Sequence, residues 1–519
     1  MTPAADTPKP HTHDLRGKAL AGFFWSYGAL LGGRIVYFVA TLALARLLLP
    51  SDFGLVAFAV AVLSLIDNLA DLGVGQALVY RSDGTKRDVA STAFWVGVGG
   101  AFATVLIVWA LSSLLAGFGP DAGVRTILVV LCLQYPLRSL GSVHRYLAIH
   151  ALEFKKLTLA EFLSQLVKGA VMVALAVWGA GVWSLVIGQL ASTLVWSLTL
   201  WVVTGWRPSP IVRVAYVRSL VRFGAGIGFI GIVGYASHNI DYLIVGARLG
   251  AEQLGFYTLA FRIPEIAILE IFIVLQGILF PYFSRLKDAP AGPQSAQDEV
   301  DRLASSYRQT LRTGSILSFP LGLGMASLAL PLVLVLYGDQ WRPSAVPLAL
   351  VAVWSAFSAL AGLPATTFKS LGRAGLLTSL ATVEIGLTAP TLWLIAPRGI
   401  NAVAAALVAV KLTYMSVQAV VVRRVVGVPC LTQAGDIVRG LGAAMVMAAV
   451  VYPIGRAAAP PVALAVGVPV GALVYLGVLR AFFPDDLRFI LRLVPERVRL
   501  RRRRPRISTS GSLEGGDAG

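Results

Sequence analysis

The chain has 519 residues, of which 57% are hydrophobic and only 13% charged, with a formal net charge of +18 and a mean hydropathy of +0.76. A water-soluble chain of that length would carry about twice the share of charged residues, spread over several domains. The composition excludes it. Apolar runs long enough to cross a bilayer at 1.5 Å per residue follow one another instead.

The polar segment 1–19 is a cytoplasmic tail, and the first apolar run is too long to be the core of a cleavable signal. The predicted spans are 20–48, 53–79, 92–117, 124–149, 159–179 and 182–204. A cytoplasmic linker, 205–222, leads to 223–247, 254–283, 309–336, 344–370, 374–396 and 400–422. Two further spans, 437–456 and 461–482, precede a basic, disordered cytoplasmic tail at 483–519. The runs are continuous rather than alternating, so they are helices that satisfy their own backbone hydrogen bonds, not barrel strands. The expected fold is all-α: a polytopic membrane bundle of 14 spans.

Lys and Arg set the orientation. With the N-terminus inside, inner segments carry groups such as Arg81, Lys86 and Arg87, or Arg207, Arg213, Arg218 and Arg222. Outer loops carry mostly single ones, such as Arg125, Arg248 and Arg342. Both termini are therefore expected in the cytoplasm. The tail sequence VPERVRLRRRRPR follows a span directly, which points to anionic lipid rather than nucleic acid. Cys132 lies in a span and Cys430 on the cytoplasmic side, so neither a disulfide nor a metal site is expected.

One turn occurs twice. Residues 45–59 read ARLLLPSDFGLVAFA and residues 247–260 read ARLGAEQLGFYTLA, with Gly54 matching Gly255. Glu161 and Glu384 form a weaker echo, each early in a span entered from the cytoplasm. Six spans separate the matching points, an even number, so the copies point the same way. This predicts two six-helix lobes, 20–204 and 223–422, related by a parallel repeat, plus two C-terminal spans at 437–482. A site is then expected between the lobes near mid-membrane.

Several stretches carry a resemblance. ARLLLPSDFGLVA (45–57) is similar to the first hairpin of the bacterial polysaccharide flippases. The pattern N-x-D-x-x-x-x-G at 239–246, followed by LGFYTLAFR (254–262), resembles that family's seventh and eighth spans, and LFPYFSRL (279–286) and LYGDQW (336–341) resemble later signatures. The family belongs to the multidrug/oligosaccharidyl-lipid/polysaccharide exporter superfamily. The resemblance covers roughly Leu15 to Val425 and implies movement of undecaprenyl-diphosphate-linked oligosaccharide to the outer leaflet of the cytoplasmic membrane, expected to proceed by alternating access of a basic central cavity. It implies a transporter rather than an enzyme, working without a cofactor as a monomer, with membrane lipid and polysaccharide assembly proteins as neighbours. A multidrug-type exporter or a peptidoglycan-precursor flippase would share the architecture. A membrane glycosyltransferase or polymerase would need a sizeable outer loop, for which the short outer connections leave no room.

Charges inside spans cost about 2.5–3.5 kcal/mol each on insertion scales, so they should line a cavity or pair. Arg34, Arg138, Lys168, Arg262 and Lys411 are the candidates for gripping a diphosphate, Arg by a bidentate fork and Lys by a point charge. Arg262 has Glu265 three residues on, within reach of an intrahelical pair. Asp67, Asp71, Asp241, Glu265 and Glu270 are the candidate counter-ions or carriers of a coupling H+ or Na+. His144 reads as a hydrogen-bonded helix residue. No Walker sequence is present, so ATP is not the expected driver.

Overall fold

The computed structural model describes residues 32–70, 87–119, 121, 123–273, 296–486 and 488. The N-terminal tail, parts of the first, second and eighth predicted spans, the LFPYFSRL stretch and nearly all of the basic tail lie outside those residues. Among the described residues every regular element is helical. Helix α1 covers 32–47, α2 Pro50–Ala70 and α3 Arg87–Gly117. The next span is broken into α4 (Val124–Leu131) and α5 (Gln134–His150), followed by α6 (Phe154–Val177) and α7 (Val182–Thr204).

A long run, α8 (Val214–Pro264), continues into a π turn at Glu265–Leu269. After it come α9 (Ala296–Ser327), α10 (Ala329–Leu336), a 3₁₀ turn at Asp339–Ser344, α11 (Ala345–Ala361) and α12 (Leu363–Ser370). Helices α13 (Ala374–Ile395), α14 (Ile400–Val426), α15 (Cys430–Ala457) and α16 (Pro460–Phe482) complete the chain. Ten described helices are long and apolar enough to cross a membrane, or eleven if the pair α9–α10, bent by 71° at Leu328, is one span. Of the other three predicted spans, 20–48 and 254–283 extend beyond the described residues, and 223–247 falls within α8. Large apolar side chains such as Leu106, Leu394 and Leu473 face outward, as a lipid-facing surface requires.

The two copies of the repeated turn use different devices. In the first, Pro50 starts α2 with the fixed φ that suits a first helical turn, and Asp52 accepts the Leu49 N–H at 3.0 Å, capping the new helix. In the second, the break inside α8 falls on Gly250, whose φ of 89° and ψ of 176° lie outside the helical region and suit only glycine. One glycine does there what a two-residue turn does in the first copy.

The two turns also meet. A Cβ on Gly54 would fall on the carbonyl of Ala251, and one on Gly255 would fall on the carbonyl of Pro50. Pro50 and Ala251 are themselves matched by the repeat, so each copy presents to the other the contact it receives. A pseudo-two-fold axis requires this reciprocity. With no water to expel inside a bilayer, such backbone-to-backbone approach of small residues is what holds helices together.

The surrounding seam is polar at its edge and apolar within. Trp341 Nε1 and Gln340 Nε2 both donate to the Ala45 carbonyl at 2.6 Å, and Arg46 Nη2 donates to the Val335 carbonyl at 2.8 Å. Trp341 is fully buried, edge-on to Phe53 at 5.3 Å and to Phe256 at 5.9 Å. The largest apolar core runs through this seam from Leu44 and Phe58 to Tyr257 and Leu348. Helices α15 and α16 are fixed to α9 instead. Arg308 Nε reaches Asp436 Oδ2 at 3.0 Å, Arg312 pairs with Asp486, and Tyr475 Oη donates to the Ile316 carbonyl at 2.7 Å.

Candidate functional site

Beneath the seam a cavity of about 440 Å³ separates the first half of the chain from the second. Helical spacing aims its wall. Helix α1 contributes Arg34, Tyr37 and Thr41; α6 contributes Glu161, Gln165 and Lys168; the end of α8 contributes Thr258 and Arg262. Pro264 cannot donate a helix hydrogen bond, and the helix widens into the π turn just after it, with the Glu270 N–H bonded to the Glu265 carbonyl. That turn brings Glu265, Ile266 and Glu270 onto the cavity as well. Phe53 and Leu44 lie on its wall next to the seam, so the two halves close over it at that end.

The charges of the cavity are balanced rather than purely basic. Arg34 of α1 pairs with Glu270 across the two halves. Arg262 Nη1 lies 3.2 Å from Glu265 Oε2, the intrahelical pair that the spacing predicted. Lys168 reaches no carboxylate among the described residues; its Nζ sits 4.3 Å from the centre of the Tyr37 ring. The Arg262 guanidinium lies 4.4 Å from the same ring, so one aromatic residue of α1 carries two cations, one from each half. Cation–π contacts of this kind contribute more once water is excluded.

The other candidates lie elsewhere. Lys411 is 7% exposed, pairs with Glu384 of α13, and has the Trp354 and Tyr414 rings each at 5.3 Å; it is not among the residues lining the cavity. Arg138 lines a second cavity in the first half, with Asp67 Oδ2 3.7 Å from its Nη1. Asp241 is buried and accepts a hydrogen bond from Tyr257 Oη at 2.8 Å, while its neighbours Asn239 and Tyr242 line the central cavity. Asp71 lies outside the described residues. His144 is buried, with Nε2 3.3 Å from the Trp206 carbonyl and the Trp201 ring stacked at 4.9 Å, a packed helix residue as its surroundings in the sequence indicated.

Sequence reasoning missed Tyr37, Gln165 and Gln189 as cavity residues and read Glu161 only as an echo of Glu384. The signal was available. In α6, beyond Lys155 and Lys156 at its start, Thr158, Glu161, Ser164, Gln165 and Lys168 recur at helical spacing among apolar residues, which marks a face turned away from lipid.

The sequence profile of the family described as polysaccharide biosynthesis protein matches residues 43–346. The succinoglycan biosynthesis transport protein ExoT of Rhizobium meliloti is 26% identical over 329 residues, 63% of this chain and 64% of its own. The lipopolysaccharide biosynthesis protein WzxC of Escherichia coli is 25% identical over 331 residues, 63% of this chain and 65% of its own. The match thus spans slightly less than two thirds of these relatives. In fold, the chain is similar to the lipid II flippase MurJ in an inward-closed conformation, with a TM-score of 0.74, 12% identity, and coverage of 89% of this chain and 100% of MurJ. A multidrug resistance MATE family transporter of the MOP superfamily, in an inward-facing conformation, follows at a TM-score of 0.62 and 14% identity, covering 76% and 94%.

Proposed function

Because this chain belongs to the polysaccharide biosynthesis protein family, we propose that it moves undecaprenyl-diphosphate-linked oligosaccharide across the bacterial cytoplasmic membrane for a surface polysaccharide. The observation that carries the reading is the cavity between the two halves, where Arg34, Lys168 and Arg262 stand together on a wall built from both. In this reading 20–204 and 223–422 are the two lobes, 205–222 links them, and 437–482 adds two spans fixed to the second lobe. Both termini lie in the cytoplasm, so the seam closes the cavity to the outside.

The pairings supply a mechanism. An entering diphosphate competes with Glu270 for Arg34 and with Glu265 for Arg262, because Arg binds phosphate through the same fork that binds carboxylate. Releasing Glu270 removes an ion pair between the halves and leaves a partly buried carboxylate without its counter-ion. Losing that pair loosens the lobes for rotation. A ligand shifts a conformational equilibrium only by its differential contacts with the two states, and here the exchange of carboxylate for phosphate is that difference.

Deleting the gene should leave lipid-linked oligosaccharide on the cytoplasmic leaflet and abolish a surface polymer while intracellular sugar assembly continues. Drug sensitivity with normal surface glycan would indicate a multidrug exporter instead, and arrested cell-wall synthesis a peptidoglycan-precursor flippase.

The seam provides a further prediction. Gly54→Leu should push the Ala251 carbonyl away and favour the state open to the outside. An impermeant thiol reagent applied to intact Cys430→Ser cells should label Asp339→Cys with or without that change. It should label Val56→Cys, on the cavity wall, several-fold faster when Gly54→Leu is present. Equal Val56→Cys labelling at normal abundance would show that the seam is not the outer gate.

A further inference from the structure

A second cavity, of about 420 Å³, opens within the first half between α5, α6 and α7, in the range of roughly 300–1,000 Å³ usual for small-molecule sites. It adjoins the central one, because Glu161, Gln165 and Gln189 line both. Its wall on α7 is a helical stripe, Gln189, Ser192, Thr193 and Trp196, and α5 faces it with Gln134. Lipid would penalise every one of these polar groups.

Three charged side chains among the described residues line this chamber: Arg138 pairs with Asp67, Glu161 accepts from Gln165 Nε2 at 3.1 Å, and the Arg145 guanidinium lies 5.6 Å from the Tyr146 ring. Among the described residues no hydrogen bond forms to the side-chain amides of Gln134 and Gln189 or to the hydroxyl of Ser192, which is 7% exposed. An amide offers two donors and two acceptor sites, and a hydroxyl both functions. The chamber therefore presents neutral donors and acceptors among these charges, beside one indole ring. That chemistry matches a pyranose, whose hydroxyls donate and accept and whose C–H face packs on an aromatic ring. It does not match an acyl chain.

We propose that this chamber holds the sugar of the lipid-linked substrate nearest the diphosphate, while the central cavity holds the diphosphate itself. The assignment rests on the translocation reading and gives it a specificity element in the first half of the chain. Neutral hydrogen bonds to a buried polyol discriminate because a missing hydroxyl leaves the protein group unpaired.

The test measures binding of farnesyl diphosphate and of farnesyl diphosphate bearing one glucose, galactose or N-acetylglucosamine to the purified full chain in detergent. The wild type should bind at least one glycosylated probe more tightly than the bare diphosphate. Gln134→Leu and Thr193→Val should each reduce that increment about three- to tenfold, the range of one lost neutral hydrogen bond, and Trp196→Leu should reduce it by a similar factor through lost ring contact, with affinity for bare farnesyl diphosphate unchanged. Lys168→Gln should weaken both kinds of probe alike. No sugar increment in the wild type, with the diphosphate bound, would overturn the chamber assignment alone. An increment untouched by all three chamber variants, or lost only together with diphosphate affinity, would overturn it too. Failure of the wild type to bind any probe would overturn the translocation reading and this assignment with it.

Discussion

Lys411→Gln should reduce the protein in the membrane to a small fraction of its normal abundance, and the double variant Lys411→Gln/Glu384→Gln should restore much of it. Lys411 and Glu384 join α14 to α13 away from the cavity, and Lys411 is 7% exposed. The mutual attraction of the pair offsets two desolvation costs. Removing one partner leaves the other charge uncompensated, at about 3–5 kcal/mol. Folded proteins hold only about 5–15 kcal/mol of stability, so a loss of that size is visible as abundance. Replacing both removes the stranded charge. Quantified membrane levels of the two variants are the readout, and normal abundance of Lys411→Gln would show that the pair carries no such load.

Lys168→Gln should behave in the opposite way, with near-normal abundance and transport lost. Its ammonium rests on Tyr37 and pairs with no carboxylate among the described residues, so its removal strands no charge. On the proposed reading, what disappears is a charge-assisted hydrogen bond to the headgroup, about 1.5–3 kcal/mol, or a factor of roughly ten to a hundred in affinity. Arg34→Gln falls between the two. It leaves Glu270, whose side chain is 10% exposed, without its partner, so abundance should drop in part and recover with Glu270→Gln. Complementation of surface glycan should stay lost in that double variant, because the phosphate-binding fork is still absent. Full complementation by Lys168→Gln at low expression would remove it from the substrate path.

Much of the architecture was legible because a bilayer leaves few choices. Apolar length marks spans, and the double occurrence of ARL followed by a glycine-bearing turn marked positions that now meet at Gly54 and Gly255. The intrahelical pair of Arg262 and Glu265 was legible for the same reason, being set by local spacing. Pairings between distant helices were not. Lys168 and Lys411 look alike in sequence, each a lone Lys deep in an apolar run, and only packing sends one to the cavity and the other to Glu384. The π turn after Pro264, which carries Glu265 and Glu270 onto the cavity wall, is likewise announced by no periodicity. The neutral stripe on α7 was passed over because Gln, Ser and Thr in a span cost less than charge and so attract less notice.

The most direct measurement reconstitutes the purified chain in liposomes whose polyprenyl-diphosphate oligosaccharide is initially sealed in the inner leaflet, and follows its exposure to an external glycosidase. The wild type should expose the glycan with time, and Lys168→Gln, incorporated to the same level, should be slower by at least tenfold. Exposure at the rate of protein-free liposomes by the wild type, or at equal rates by both proteins, would contradict the account.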